Sequence, residues 1–571
     1  MITLWTNGTI YTGHGHFAQA FAIKDDQFYA VGSLEQVQEI CRASGEPIFT
    51  YDLDGRFVCP GFNDSHMHLL SLGRSLVEVH LGAHTSSKEE MIAHLKAALA
   101  ARPALANATS DIAATKAYTK STPWLCGRGW NQEYFQGDHS LPTRWDLDQV
   151  SKEIPIYLAR ACGHIAVVNS KAIELMGLTA ATPQSADASY DVDEHGEPTG
   201  ILRENALSWA TSLIPAPTKD EIKHMLKTAC QLCNQYGITS VHSDDFDMWP
   251  QVSPQMILDC YGELIEEGKL TVRVIEQCLL PTREKLENFL ASGYSTGSTI
   301  CAPTESEPDP IPADQFRIGP LKLLLDGSLG ANTAYLQEEY ADAPGEKGMP
   351  LYTQEELDHM VLIAHQEGMQ IAMHAIGDGA VQMGLDAYAK AQAAYPHQDA
   401  RHGIVHCQLT TADQLEQFKE QGIHAYIQSI FLDADAPIVE KRVSSQLVAT
   451  SYQAATYLDK GISLSNGSDA PVELPHVMAG IQCAVTRRSL HTPMDAPYLP
   501  GEALSVAQAI DSFTSGGAYA SFEEQLKGQI LPGMLADFVV LEEDPFQVPV
   551  ERLSEIEVNT TVLGGYPVYL S

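Results

Sequence analysis

The sequence is poor in positive charge. It holds 35 Lys and Arg against 73 Asp and Glu, a formal net charge of −38 at neutral pH. Nucleic acid and anionic membrane surfaces are bound through cationic patches, so this balance excludes both as expected partners. The acidity itself serves solubility and says nothing about a substrate. Also missing is any run of about 18 apolar residues, so no transmembrane helix is expected. The opening Met1-Ile-Thr-Leu-Trp-Thr-Asn-Gly alternates like a strand and lacks the charged-then-apolar order of a signal peptide. Cysteine is sparse: 11 residues, odd in number and scattered, which argues against a disulfide framework and for a reducing cytoplasm. The single C-x-x-C, Cys230 and Cys233, lies within an amphipathic helical stretch from Glu221 to Tyr236 and reads as packing. Internal repeats are lacking, and low complexity is slight. Residues 297–315, rich in Pro, Ser, Thr and acids, read as an exposed loop.

What is present is a chain of 571 residues with 44% hydrophobic content, long enough for a large core with additions. Its ends share a pattern of short strands joined by turns. At the start these are residues 2–11, 20–31 with Asp25-Asp26 at a hairpin, and 48–58; at the end, Gly533 to Leu541 and Thr560 to Tyr569. Neither end has enough strands to bury a core alone, so one small β-sandwich built from both termini is expected. Its parts are 1–59 and 520–571. Between them, apolar runs alternate with helical stretches, the signature of βα units around a parallel sheet. Eight runs fall near 57–64, 238–243, 271–278, 319–325, 370–375, 403–407, 423–428 and 462–467. Helical stretches at 354–367, 379–394 and 411–421 separate several of them. Eight such units predict a distorted TIM (β/α)8 barrel over 60–519. The gap after the first run, about 70–235, is too long for a connection and predicts an inserted subregion with its own helices.

The chemistry sits where barrel strands end. Residues two apart on a strand point to one side, so His66 and His68 in Pro60-Gly-Phe-Asn-Asp-Ser-His-Met-His can face one metal together. A chain with 21 His supplies such a pair by chance, and His14-Gly-His16 in a glycine turn is one without assigned role. Position is what distinguishes His66 and His68. In this barrel class catalytic groups gather at the C-terminal ends of the strands. The fourth run carries Lys322, the fifth ends at His374, the sixth at His406 and the eighth in Asn466-Gly-Ser-Asp469. A lone strand-end His is more often a hydrogen-bonded core residue. Five strands ending together in ligand-type residues are better explained by a metal centre.

The combination resembles the amidohydrolase superfamily, and within it the YtcJ-like branch (amidohydrolase family 3) that includes N-substituted formamide deformylases. The motifs are Gly61-Phe-Asn-Asp-Ser-His-Met-His, Lys322-Leu-Leu-Leu-Asp-Gly-Ser-Leu-Gly, His374-Ala-Ile-Gly-Asp, His406-Cys-Gln, Gly467-Ser-Asp-Ala-Pro and Leu531-Pro-Gly-Met-Leu-Ala-Asp-Phe-Val-Val-Leu. The insertion matches through Gly127-Arg-Gly-Trp-Asn, Gly163-His-Ile-Ala-Val-Val-Asn-Ser-Lys-Ala and Gly200-Ile-Leu-Arg-Glu. The resemblance implies two divalent metal ions, with Zn²⁺ suited to mixed imidazole and carboxylate ligands. His66, His68 and Asp469 would hold one, His374 and His406 the other, and Lys322 would bridge them as a carbamate formed with carbon dioxide. It also implies a small-molecule substrate, a homodimer, and hydrolysis of a C–N bond other than a peptide bond (class EC 3.5), in an amide or N-substituted formamide. A metal-bridging hydroxide would attack, with Asp469 as general base and acid. Trp130, His164 and Arg203 of the insertion are candidate substrate contacts. Deamination, opening of a cyclic amide or lactone, and a non-catalytic protein that kept the barrel are the alternatives.

Overall fold

The computed structural model describes the chain apart from residues 83–85, 103–122, 162–163, 186–187, 301–313 and 492–495. The chain divides into two compact units, residues 1–72 with 222–571, and residues 73–221. Among the described residues, no helix is long and apolar enough to cross a membrane.

The larger unit is built on eight parallel strands: Phe62–Met67, Ile238–Ser243, Arg273–Leu279, Phe316–Leu324, Ile371–Ala375, Gly403–His406, His424–Ile427 and Leu464–Asn466. Seven of them lie where the apolar runs predicted. The strands pair in chain order from first to last. Last and first meet through single bonds instead of a ladder. Ser65 Oγ donates to Asn466 O at 2.8 Å, and Asp469 N donates to His66 O at 2.8 Å, so the sheet comes round as a distorted TIM barrel. Several helices between strands begin where a side chain satisfies their free amides. Thr353 and Thr411 form capping boxes with Glu356 and Gln414, opening Gln354–Gln366 and Ala412–Gln421. The second of these stops at Gly422, in the left-handed region with φ 65°.

The first strand departs from expectation. The apolar run 57–64 is not one strand: Phe57–Pro60 pairs with Phe538–Leu541 in a sheet shared by both termini, and the barrel strand starts at Phe62. Gly61 is the hinge, because a Cβ there would lie 2.3 Å from Thr239 Oγ1. The run 48–58 likewise divides into Ile48–Asp52 and Phe57–Pro60 at Asp54-Gly55, whose φ angles of 54° and 78° make a turn.

The terminal sheet has eight strands: Tyr566–Leu570, Val558–Leu563, Phe538–Leu541, Phe57–Pro60, Ile2–Gly13, His16–Lys24 and Gln27–Gly32 in order, with Ile48–Asp52 also on Ile2–Gly13. Phe28 and Val562, from strands far apart in that order, join Trp5, Phe21 and Phe538 in one of its cores. Cys230 and Cys233 are buried in the helix Lys219–Gln235, and burial pushes both thiols up, Cys230 to about 12. Such thiols are packing groups.

The smaller unit holds a six-stranded mixed sheet as well as the helices expected of an insertion: Ala188–Val192, Pro198–Glu204, Ile165–Val168, Ile156–Arg160, Leu125–Trp130 and Val79–His80. The helix Lys219–Gln235, placed by the sequence inside an insertion of about 70–235, belongs mostly to the barrel unit. Of the loop read at 297–315, residues 301–313 lie outside the described residues, as does Gly163 of the insertion motif.

Candidate metal centre

His66 and His68 sit at the C-terminal end of the first barrel strand, and their rings lie 5.2 Å apart. Asp469 follows the eighth strand. Its Oδ1 is 2.8 Å from His68 Nε2 and 3.3 Å from His66 Nε2. Lys322, wholly buried on the fourth strand, places Nζ 3.2 Å from His66 Nε2. His406 ends the sixth strand with its ring 5.7 Å from His66 and 4.4 Å from His374 of the fifth. All six ligand-type residues expected from the strand ends thus gather at one mouth. Two groups put their donor atoms within 4.8 Å of one another: His66, His406 and Asp469, and His66, His68 and Asp244.

Four further residues hold this set, and sequence reasoning missed all four. Asp244, directly after the second strand, accepts from His68 Nδ1 and from Lys322 Nζ at 3.1 Å. Gln277 on the third strand accepts from His66 Nδ1 at 2.7 Å, and Gln428 after the seventh from His406 Nδ1 at 2.7 Å. Asp326 lies 3.3 Å from His374 Nε2 and also takes the N–H groups of Ile376 and Gly377. At His66 and His406 the amide oxygen on Nδ1 assigns the proton to that nitrogen and leaves the Nε2 lone pair for a ligand bond. Strand-end position would have pointed to Asp244; nothing in the sequence distinguishes the two glutamines.

Behind Asp244 stands a second acid pair. Asp245 accepts from Leu70 N, Ser243 Oγ and Tyr261 Oη, fixing the chain after His68, and Glu276 accepts from Asp245 N at 3.0 Å. Burial pushes both carboxyls up, Glu276 well above the usual range.

Electrostatics suit a cation. Burial, aided by Lys322 and by His374 respectively, pushes His66 and His406 down, toward the neutral imidazole that ligates. Burial opposes the Asp469 and Asp244 anions, yet the neighbouring imidazoles outweigh it and hold both carboxyls well below the carboxylate range; Lys322 adds to this at Asp244. Two buried anions beside the Nε2 atoms of His66 and His406 make the donor chemistry of a divalent transition metal, while, against burial, Asp244 and Asp469 push His68 between them up to about 10. The backbone is bent to aim it: His406, Cys407 and Asp469 have φ angles of 80°, 50° and 59°. Non-glycine residues adopt that region at a cost of about 1–3 kcal/mol each, and such costs cluster at functional sites.

The amidohydrolase family model matches residues 50–569. The chain belongs to the amidohydrolase family. It is 30% identical over 575 residues to YtcJ of Bacillus subtilis (strain 168), an amidohydrolase by name, covering 100% of this chain and 99% of that one. It is 23% identical over 561 residues to the N-substituted formamide deformylase of Arthrobacter pascens, covering 96% and 94%. A crystal structure of an uncharacterised metal-dependent hydrolase from Pyrococcus furiosus superimposes with a TM-score of 0.74 at 30% identity, covering 96% of this chain and 100% of that one.

The three insertion residues of this amidohydrolase lie in the smaller unit and have partners there. Trp130 has no exposed surface and donates its indole N–H to Leu158 O at 3.0 Å within that unit's core, so it packs. Arg203 forks onto Asp191 with two bonds of 2.8 Å. His164 is exposed, with Nδ1 2.9 Å from Glu204.

Proposed function

We propose that this chain hydrolyses a C–N bond, in an amide or N-substituted formamide, at a centre of two divalent metal ions. The observation that carries the reading is Asp469, a buried carboxylate within reach of two histidine Nε2 atoms at the mouth of an amidohydrolase barrel. The likeness to a protein named N-substituted formamide deformylase points to the bond. His66, His68 and Asp469 would hold one ion, His374 and His406 the other, with Lys322 between them. The ions, Zn²⁺ by donor chemistry, would supply Lewis acidity and a water acidic enough to attack near neutral pH. The chain's own residues do the rest. Gln277 and Gln428 fix ring orientation, and Asp244 anchors His68. Asp469 takes the proton of the attacking water and passes it to the leaving nitrogen, which departs as a neutral amine.

Lys322 is proposed as a carbamate. Carbon dioxide added to the Lys322 amine, with loss of a proton, would give an anionic carbamate whose oxygens would suit divalent cations. The contact of Lys322 with Asp244 at 3.1 Å favours a second reading, in which the lysine stays unmodified and one metal is bound. Native mass spectrometry of the metal-loaded protein separates them: the first requires a mass gain of one carbon dioxide that Lys322→Met lacks.

Asp469→Asn is expected to keep metal and lose turnover by about 10²–10⁴-fold, the usual worth of a positioned acid–base group. Unchanged kcat at full metal content would refute the role. A screen of formamides, simple amides, cyclic imides and lactones, read by formate or acid release against ammonia release, tests the bond. Ammonia from a heterocycle with no amide cleavage would establish deamination instead. His164 is retained as a proposed substrate contact; equal kcat and KM in His164→Ala would remove it.

A further inference from the structure

The opposite end of the barrel carries a cavity that the metal centre does not use. It measures about 280 Å³ and is lined by Thr296, Arg317, His397, Asp399, Ser521 and Phe522 among others. Arg317 stands at the start of the fourth strand, five residues before Lys322, so a rise of 3.3 Å per residue puts the two roughly 16 Å apart. We propose that this cavity binds a small organic oxyanion, a carboxylate or a phosphomonoester, through the Arg317 guanidinium.

The case rests on which groups are already satisfied. Arg317 makes no ion pair among the described residues, in a chain with 73 acidic side chains. Among the described residues its one hydrogen bond is a long contact of 3.5 Å from an Nη to Ser521 O, and its Nε is buried with no partner. A guanidinium lining a cavity without an acceptor is a fork awaiting one, since its planar donors match carboxylate and phosphate oxygens. The other polar walls are spent. Thr296 Oγ1 donates to Gly319 O and accepts from Gln370 N. Ser521 Oγ donates to Glu523. Asp399, the one acid among the described residues of the wall, is held by Arg401 at 2.9 Å, which compensates the charge that would repel an anion.

The histidines here do not form a metal site. His402 Nδ1 accepts from Ile371 N at 3.1 Å, so its Nε2 carries the proton and donates to His365 Nδ1 at 2.8 Å. His365 Nε2 then donates to Tyr395 O at 2.6 Å. Every ring nitrogen of that pair is consumed. His397, packed edge-on against His365 at 4.4 Å, is exposed and supplies a second donor at the rim. The volume approaches the lower end of small-molecule pockets, about 300–1,000 Å³, and the Met369 and Phe522 side of the wall is apolar. An anion with a short hydrocarbon part fits both features.

The test uses the metal-loaded full chain. Crystals soaked in selenate are expected to show an anomalous peak at the Arg317 guanidinium. Calorimetric titration with inorganic phosphate and with butyrate is expected to show binding weakened at least tenfold in Arg317→Met and several-fold in His397→Gln. Melting curves establish that both variants fold. If Arg317→Met does not fold, the soak of the unaltered protein and the His397→Gln titration still decide. A selenate peak at the metal centre alone, or equal affinity in the unaltered protein and the variants, overturns the proposal.

Discussion

A metal centre is only as good as the orientation of its ligands, and at the scale of single residues this one depends on groups that touch no metal. Gln428 holds His406 through Nδ1 and Gln277 holds His66 in the same way. Removing such a partner typically costs 10–100-fold in metal affinity, because the ring then samples other rotations and tautomers. Gln428→Leu is therefore expected to weaken binding by about 10–100-fold at little cost in melting temperature, as read by competition with a chelator. Unchanged affinity would make Gln428 a packing residue. The same contrast explains what the sequence discloses. His66, His68, Lys322, His374, His406 and Asp469 were legible because several strands end in ligand-type residues at once. Gln277, Gln428 and Asp326 were not, because a glutamine or aspartate near a strand end is ordinary until its partner is known; Asp244 had the same strand-end position as the ligands and was passed over.

Elements fail differently, through backbones forced too close or charges forced inside. Gly467 lies where the eighth strand meets the first. A Cβ there would stand 2.6 Å from His66 N and 2.7 Å from His66 O, both main-chain atoms that cannot rotate away. Gly467→Ala should cost about 1–3 kcal/mol of stability, as overpacking does, and should also displace His66. A joint loss of melting temperature and metal content is the expected reading; intact metal binding would show that the strands can part. The buried imidazole of His402 makes a second prediction. Burial, with His365 and His397 beside it, pushes its pKa down to about 3, against about 6.5 in an unfolded chain. Between those values only the unfolded chain binds the proton, so stability falls as pH falls, by about 1.4 kcal/mol per unit. His402→Gln should flatten the melting-temperature profile from pH 6.5 downward, and an unaltered slope would contradict the assignment. The barrel strands were readable from periodicity, except where two met without a break in apolarity; the six strands of the smaller unit were not. Phe57-Val-Cys-Pro-Gly-Phe reads as one run, and only the Pro60-Gly61 dipeptide marks the passage from terminal sheet to barrel.

At the scale of the whole molecule, the two ends of the chain are one structural part. The sequence showed this through insufficiency, since neither terminus had strands enough to bury a core. It could not show how the shared sheet is fastened. Arg56 Nε meets Glu542 at 2.9 Å, joining the first segment to the last. Arg273 of the third barrel strand, buried, forks onto Asp537 at 2.7 and 2.9 Å. A chain ending at residue 530 would lose both partners and the buried side chains Met534, Phe538, Val540 and Val562. Each such side chain contributes about 1.5–3 kcal/mol when fully buried, so the four together rival the about 5–15 kcal/mol that separates a folded domain from its unfolded state. Removing Asp537 also leaves the Arg273 guanidinium buried with Asp314 as its remaining ion-pair partner, and breaking a buried pair costs more than the pair contributes. The truncated chain should therefore fail to melt cooperatively and fail to hold metal, although no proposed ligand lies beyond residue 469. Circular dichroism with metal analysis decides the matter. A soluble, metal-loaded product with a sharp transition would mean that the barrel stands without the sheet, and that the terminal strands serve something other than folding.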